Sequence, residues 1–290
     1  MVQDYGNVSV NGDFGETREY QFSRGENQRR GARVLEMAGA GLKEAMGAFK
    51  DKVAERREKK ERGKRLVLGV GEVEKSKGMT YEDGAPTVCE DASFVDEGQA
   101  IFGVFDGVGG ERGGRRASQM AVEGLRHFAM TRELKTTGEL AEVLEKISGV
   151  ISRDKEAGAT TATVAKITRE KGRKYLNYVQ AGDSRIYVVR GRDAYQVTRD
   201  EGVGHQIDNW LGERAPGVSQ MGKFPLMNGD RIVLCTDGVT GDYGDERMSN
   251  YEIAEIVNRG VEVGSPQVAA RILVEEARKH DDRTAIVVEV

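Results

Sequence analysis

Ile101-Phe102-Gly103-Val104-Phe105-Asp106-Gly107-Val108-Gly109-Gly110 is the stretch from which this chain is best read. Five residues of strand character run straight into a single carboxylate, and glycines follow at once. The apolar run predicts a buried strand that delivers an acid to a point where the backbone turns sharply, which glycine allows because it has no Cβ. An unpaired carboxylate at the end of a core strand is very costly. Asp106 therefore needs a metal ion, a basic side chain or a helix N-terminus beside it.

Moving outward, the same grammar recurs three times. Glu90-Asp91 precedes Ala92-Ser93-Phe94-Val95, Asp237-Gly238 follows Ile232-Val233-Leu234-Cys235-Thr236, and Asp281-Asp282 precedes Thr284 to Val288. One such acid is ordinarily a cap or a turn former. Four groups, each at a strand end, are harder to explain as turns alone. If the strands pack as two sheets, their ends can converge, and converging carboxylates repel one another unless cations intervene. All-oxygen ligation suits hard cations such as Mg2+ or Mn2+. The pattern points to a carboxylate-rich metal centre with room for two ions, and two metals about 4 Å apart can activate a water and clamp a phosphoryl group.

The rest of the chain bounds this reading. A hydrophobic fraction of 38% and a charged fraction of 32% over 290 residues suit one large domain or two small ones with a real core. A formal net charge of -4 gives no global basic field for nucleic acid. No apolar run approaches the roughly 20 residues of a membrane span, and the first residues lack the order of a secretory signal. Cys89 and Cys235, with no CxxC, argue against a disulfide framework or zinc site and make a reducing, cytoplasmic location the expectation. Residues 1 to about 32 show no period and read as disordered. Leu35, Ala38, Leu42, Met46, Phe49 and Val53 mark one helix face, which runs into a charged stretch at 55–65. The expected organisation is a tail over 1–63, partly disordered and carrying this helix, and a domain over 64–290. Strands are predicted at 66–74, 92–95, 101–105, 160–167, 175–180, 185–190, 231–235 and 284–289. Ala181-Gly182-Asp183-Ser184 reads as a hairpin turn between the fifth and sixth of these. Helices are predicted from Ala117 to Phe128, Leu140 to Ile151 and Tyr251 to Val257, and after the N-cap Ser265-Pro266. Paired helices set apart from grouped strands argue for an α+β layered fold with antiparallel sheets.

At this point the residues carry a resemblance. CEDASFVD, FGVFDGVGG, GATTATVAKI, YVQAGDSRIYVVRG, GDRIVLCTDGVTGD and DDRTAIVVEV occur in the order found in the metal-dependent protein phosphatases of the PPM, or type 2C, family, and together they span roughly 66–290. The resemblance implies a four-layer α/β/β/α sandwich of two antiparallel sheets flanked by helix pairs. It implies hydrolysis of phosphoserine and phosphothreonine in proteins by a water or hydroxide activated at two Mg2+ or Mn2+ ions, with a third, weaker ion in some members. Asp106 would bridge both ions and the Gly107 carbonyl would add a ligand. Asp237 and Asp281 would hold one ion, Glu90 the other, and Asp91 would bind or orient water ligands. Asp106, Asp237 and Asp281 are thus the expected catalytic set. Asp183 would form a turn behind them, and Asp154 or Glu156 would serve the third ion.

The chain also departs from the family pattern. Many eukaryotic members carry histidine, taken as the leaving-group acid, where this chain has Val108. Losing a general acid typically lowers a rate by roughly 10²–10⁴-fold. The position of a phosphate-binding arginine is Pro86, with Arg112, Arg115 or Lys77 as substitutes, and Asp282 stands where asparagine is common. These changes motivate an alternative, a catalytically weak member that binds phosphoproteins as a scaffold. His280 beside Asp281 is a further candidate neighbour of the site, and the Leu35/Leu42/Met46/Phe49 face is a candidate partner surface.

Overall fold

In the computed structural model Ile101–Phe105 is a strand buried at every position. The structure describes residues 5–11, 17–23, 69–75, 88–108, 113–203, 206–212, 215, 217–242 and 246–290. The chain divides into two units, Met1–Arg65 and Leu66–Val290. In the first, β1 (Tyr5–Asn11) and β2 (Thr17–Ser23) pair antiparallel, with Val8 opposite Tyr20. The disorder expected here is corrected to a hairpin. Val8 and Val10, like Tyr20 and Phe22, alternate with polar residues at the strand period, a signal too short to stand out among the surrounding polar residues. The helix expected from Val34 lies outside the described residues.

The second unit runs β3 (Gly69–Lys75), β4 (Ala92–Asp96), β5 (Ile101–Phe105), α1 (Gly114–Thr131), α2 (Thr137–Ile151), β6 (Ala159–Thr160), β7 (Ala162–Glu170), β8 (Arg173–Ala181), β9 (Arg185–Arg190) and β10 (Asp193–Gln196). It continues through β11 (Gly202–Val203), β12 (Gln206–Ile207), β13 (Leu211–Gly212), β14 (Gln220–Leu226), β15 (Arg231–Cys235), α3 (Asp237–Thr240), α4 (Asn250–Val263), α5 (Pro266–Glu276) and β16 (Arg283–Glu289). Among the described residues two five-stranded sheets form, ordered β10-β9-β15-β16-β3 and β14-β8-β7-β5-β4. Every pairing in them is antiparallel.

Side-chain alternation assigns each face. Phe102, Val104, Ile186, Val188, Ile232, Leu234, Ile286 and Val288 share the cluster between the sheets. Their neighbours Ile101 and Phe105 pack with Leu125, Leu140 and Leu144 of α1 and α2. Tyr187, Val189, Val233, Cys235, Ala285 and Val287 pack with Ile253, Val257, Leu273 and Val274 of α4 and α5. The layers are therefore helix pair, sheet, sheet, helix pair, the α+β arrangement anticipated above. Burying each large side chain contributes about 1.5–3 kcal/mol. Central strands covered on both faces read as continuous apolar runs, which is why β5 shows no alternation in sequence. Thr136 with Glu139 and Ser249 with Glu252 close capping boxes on α2 and α4. Ser265 caps α5 with Pro266 just inside.

Two expectations about strands are corrected. β8 and β9 are no hairpin: β8 pairs with β7 and β14 in one sheet, and β9 with β10 and β15 in the other. The 181–184 segment is a step between sheets, which turn composition alone cannot distinguish from a hairpin. β14 was not anticipated, because Gly222 and Pro225 weaken its strand signal. It is an edge strand, where proline is tolerated.

Candidate metal centre

Strand register brings the acids to one end of the sandwich. In one sheet Cys235 lies opposite both Ala285 and Arg185, so Asp237, Asp281, Asp282 and Asp183 follow or precede their strands at the same edge. In the other, Ala92 lies opposite Phe105, which sets Asp91 beside Asp106. The resulting cleft holds about 200 Å³ and is lined by Glu90, Asp106, Gly107, Val108, Thr161, Asp183, Ile207, Asp237, Lys279, Asp281 and Asp282. Glu90, Asp106, Gly107, Asp237 and Asp281 are thus brought together, while Asp91 lies buried just behind them.

Threonines hold these acids in place. The Asp106 N–H donates to Thr161 Oγ1 (2.9 Å), and its carbonyl accepts from Thr160 Oγ1 (2.9 Å) and the Thr161 N–H (2.8 Å). Thr161 Oγ1 also hydrogen-bonds Ser184 Oγ (3.0 Å), joining the Asp106 loop to the step carrying Asp183. Thr236 Oγ1 donates to Asp91 Oδ2 (2.9 Å) and accepts from the Thr284 N–H (3.0 Å). The Glu90 N–H donates to Asp282 Oδ2 (2.8 Å), so the acid that replaces the family asparagine anchors the Glu90 backbone. Gly107 is required by close approach: a Cβ there would lie 2.5 Å from the Gly114 carbonyl carbon and 2.7 Å from the Glu90 carbonyl oxygen.

The electrostatics are those of charges brought together without enough compensation. Burial pushes Asp91 up to about 8 against the pull of the Thr236 hydroxyl. Burial, then the charges of Asp91, Asp237, Asp183 and Asp281, hold Asp106 well above the ordinary carboxylate range. Burial and Asp237 push Asp183 up to about 7, and burial raises Asp237 although Lys279 pulls it back. Asp91 Oδ1 is buried with no hydrogen-bond partner among the described residues. An oxygen-only donor set, an orphaned buried carboxylate oxygen and upward-shifted acids fit hard divalent cations.

Sequence reasoning misplaced Asp183, Asp154 and Glu156 and missed Asp242 and Lys279. Asp183 lines the cleft rather than merely shaping a turn. Its carboxylate oxygen lies within 4.8 Å of those of Asp237 and Asp242, a grouping able to hold an ion. Asp242 was not singled out, although its place five residues after Asp237, just past a short helix, was the available signal. Lys279 touches Asp237 and lies 3.2 Å from both Asp242 and Asp281; no sequence signal marks it. Asp154 and Glu156, proposed for a third ion, do not line the cleft. Asp154 takes a bidentate pair from Arg116 (3.0 and 2.6 Å) and caps the Glu156 N–H, and the Arg116 bond pulls it down to about 2. His280 is exposed and outside the cleft lining, and Arg115 is exposed too. Pro86, Lys77 and Arg112 lie outside the described residues.

Comparison with known proteins agrees with this geometry. The family model of stage II sporulation protein E (SpoIIE) matches residues 96–290. The chain belongs to the PPM, or type 2C, phosphatase family. Among curated relatives, "Probable protein phosphatase 2C 80" of Arabidopsis thaliana is 30% identical over 69% of this chain and 48% of its own length. Protein phosphatase PhpP of Streptococcus pneumoniae is 25% identical over 57% of this chain and 75% of its own. The chain thus spans about half of the Arabidopsis protein. Among solved structures, the S. agalactiae serine/threonine phosphatase superposes with a TM-score of 0.63 at 20% identity, over 77% of this chain and 100% of that one. The catalytic domain of the serine/threonine phosphatase PstP, in complex with 2 manganese ions, gives 0.58 at 21% identity, over 77% of this chain and 99% of that one. At those identities the structures support the fold.

Proposed function

We propose that this PPM-family chain is a serine/threonine phosphoprotein phosphatase that works with two Mg2+ or Mn2+ ions, and that residues 64–290 are its catalytic domain. One observation carries the reading: Glu90, Asp106, Asp237 and Asp281, from four separate segments, line a single cleft. Asp106 and the Gly107 carbonyl, with Asp237 and Asp281 on one side and Glu90 on the other, would hold the cations. Bound there, they would supply an activated water and neutralise charge on the phosphoryl group. The protein's own part is to hold the carboxylates at fixed positions through Thr160, Thr161 and Thr236 and to keep Asp91 buried beside them. Val108 cannot donate a proton to a leaving alkoxide, so aryl phosphates, whose leaving groups need less help, should lose less rate than alkyl phosphates. For 1–63 we propose a docking or regulatory role through the Leu35/Leu42/Met46/Phe49 face, in a cytoplasmic protein. The deciding experiment is hydrolysis of p-nitrophenyl phosphate and of a phosphothreonine peptide with and without Mn2+, beside Asp106→Asn. A Mn2+-dependent rate absent from the variant is expected; equal rates for the two proteins would end the phosphatase reading.

A further inference from the structure

Val108 and Ile207 are the two apolar side chains among the described residues that line the cleft; the other side chains there are carboxylates, a threonine and a lysine. Neither belongs to any of the three apolar clusters that make up the described core. Val108 follows Gly107 directly, whereas Ile207 reaches the cleft from a separate segment. Gly202 pairs with Ile207 and Val203 with Gln206, so Ile207 lies in a ribbon of two residues a side. A ribbon that short is marginal by itself, and its place is set from outside. Glu201, immediately before it, supplies the tie. Its carboxylate accepts from Asn209 Nδ2 (2.7 Å), two residues past Ile207, from Gln220 Nε2 (3.0 Å) and from Ser219 Oγ. Gln220 also accepts from the Arg199 N–H (3.1 Å) and donates to the Arg199 carbonyl (2.6 Å). Gln180 Nε2 donates to that same carbonyl (3.1 Å) and to the carbonyl of Gly182 (2.6 Å), beside Asp183. The base of the ribbon is thereby fixed to the end of β8 and to the step carrying Asp183, and Ile207 is held at the cleft.

We propose that Ile207 is a specificity-determining residue, which takes up an apolar side chain next to the phosphorylated residue of a protein substrate, and that Glu201 is the positioning residue that holds it there. A partly exposed isoleucine in an acid-rich cleft gains by being covered with apolar surface, in proportion to the area removed from water. Cations held by Asp106, Asp237 and Asp281 would bind the phosphoryl group without reading its neighbours in the substrate chain. Discrimination among phosphoproteins then falls to side chains on the cleft wall, and a residue that leaves Ile207 uncovered binds less well.

This inference rests on the phosphatase reading, and the test separates the two. Two phosphothreonine peptides, one flanked by leucine on both sides and one by serine, are hydrolysed with Mn2+ by the full chain as wild type, Ile207→Ser, Glu201→Ala, Glu201→Gln and the Ile207→Ser/Glu201→Ala double variant. Wild type should favour the leucine-flanked peptide about tenfold in kcat/KM, mainly through KM. In Ile207→Ser the ratio should fall to about one. Glu201→Ala should lower it as far and speed amide exchange in residues 206–212, and adding Ile207→Ser should lower it no further. Glu201→Gln, which can still accept from Asn209, should keep most of the preference. A wild-type ratio near one, or a ratio that survives Ile207→Ser, overturns the proposal and leaves the phosphatase reading standing. A ratio lost in Ile207→Ser but kept in Glu201→Ala overturns the part given to Glu201. No Mn2+-dependent hydrolysis of either peptide or of p-nitrophenyl phosphate by wild type overturns both. Should Ile207→Ser fail to fold, the wild-type ratio and Glu201→Ala decide.

Discussion

A Cβ on Gly238 would stand 1.8 Å from the Asp282 carbonyl oxygen and 3.2 Å from the Asp281 Cβ. That single hydrogen in place of a methyl lets the loop bearing Asp237 close on the loop bearing Asp281. Gly238→Ala must push the two loops apart. Overpacking of this kind typically costs about 1–3 kcal/mol. The variant should melt below wild type and bind Mn2+ more weakly; wild-type values in both measurements would show that the loops are not coupled. At Val108 the expectation is opposite in sign. Val108→His places an acid on the cleft wall, and the rate on a phosphothreonine peptide should rise about 10–100-fold, with a much smaller gain on p-nitrophenyl phosphate. Equal gains on both substrates would argue against a leaving-group role for this position.

At the scale of elements, the acids were legible and their supports were not. Asp106, Asp237 and Asp281 announce themselves because each interrupts or borders an apolar strand, and strand ends are visible in sequence. Asp183 borders a strand too, but its meaning depends on the chain stepping from one sheet to the other after β8, which no local pattern encodes. Lys279 depends on where an irregular segment folds back after α5. Arg185 was hidden for the same reason: in sequence it is one cation in a turn, whereas in the fold it is 2% exposed and clamps elements together. Its guanidinium takes Asp200 bidentately (2.8 and 2.7 Å) and donates to Thr240 Oγ1 (2.5 Å) and the Gly241 carbonyl (2.8 Å). The first partner precedes β11, and the others close α3 beside Asp237 and Asp242. Removing the arginine leaves the buried Thr240 and Gly241 acceptors unpaired, at a cost of about 1–3 kcal/mol, while the Asp200 carboxylate, 35% exposed, turns to water. Arg185→Met should lower stability by that order and speed amide exchange in residues 198–203 and 237–242 together. Faster exchange in one segment alone would show that the arginine does not couple them.

For the whole molecule, two sheets held at fixed spacing force Asp91, Asp106, Asp183 and Asp237 into one end of the sandwich, and folding stability is linked to pH through that crowding. All four carboxyls are raised above their unfolded values, Asp91 to about 8 and Asp183 to about 7, with burial the main cause. The folded protein therefore binds more protons than the unfolded chain between about pH 4 and 8, and its stability falls as pH rises through that window. The divalent cations of the proposed function would reverse the trend: binding the deprotonated acids of the folded state, they would stabilise it by about 2.7 kcal/mol at a hundredfold excess over Kd. In EDTA the melting temperature should drop from pH 5.5 to pH 8. With saturating Mg2+ or Mn2+ it should rise at both, by more at pH 8, where fewer protons have to be expelled. Asp106→Asn should flatten both responses. A metal-induced rise that was larger at pH 5.5 than at pH 8 would mean that the cations stabilise the protein somewhere other than these carboxylates.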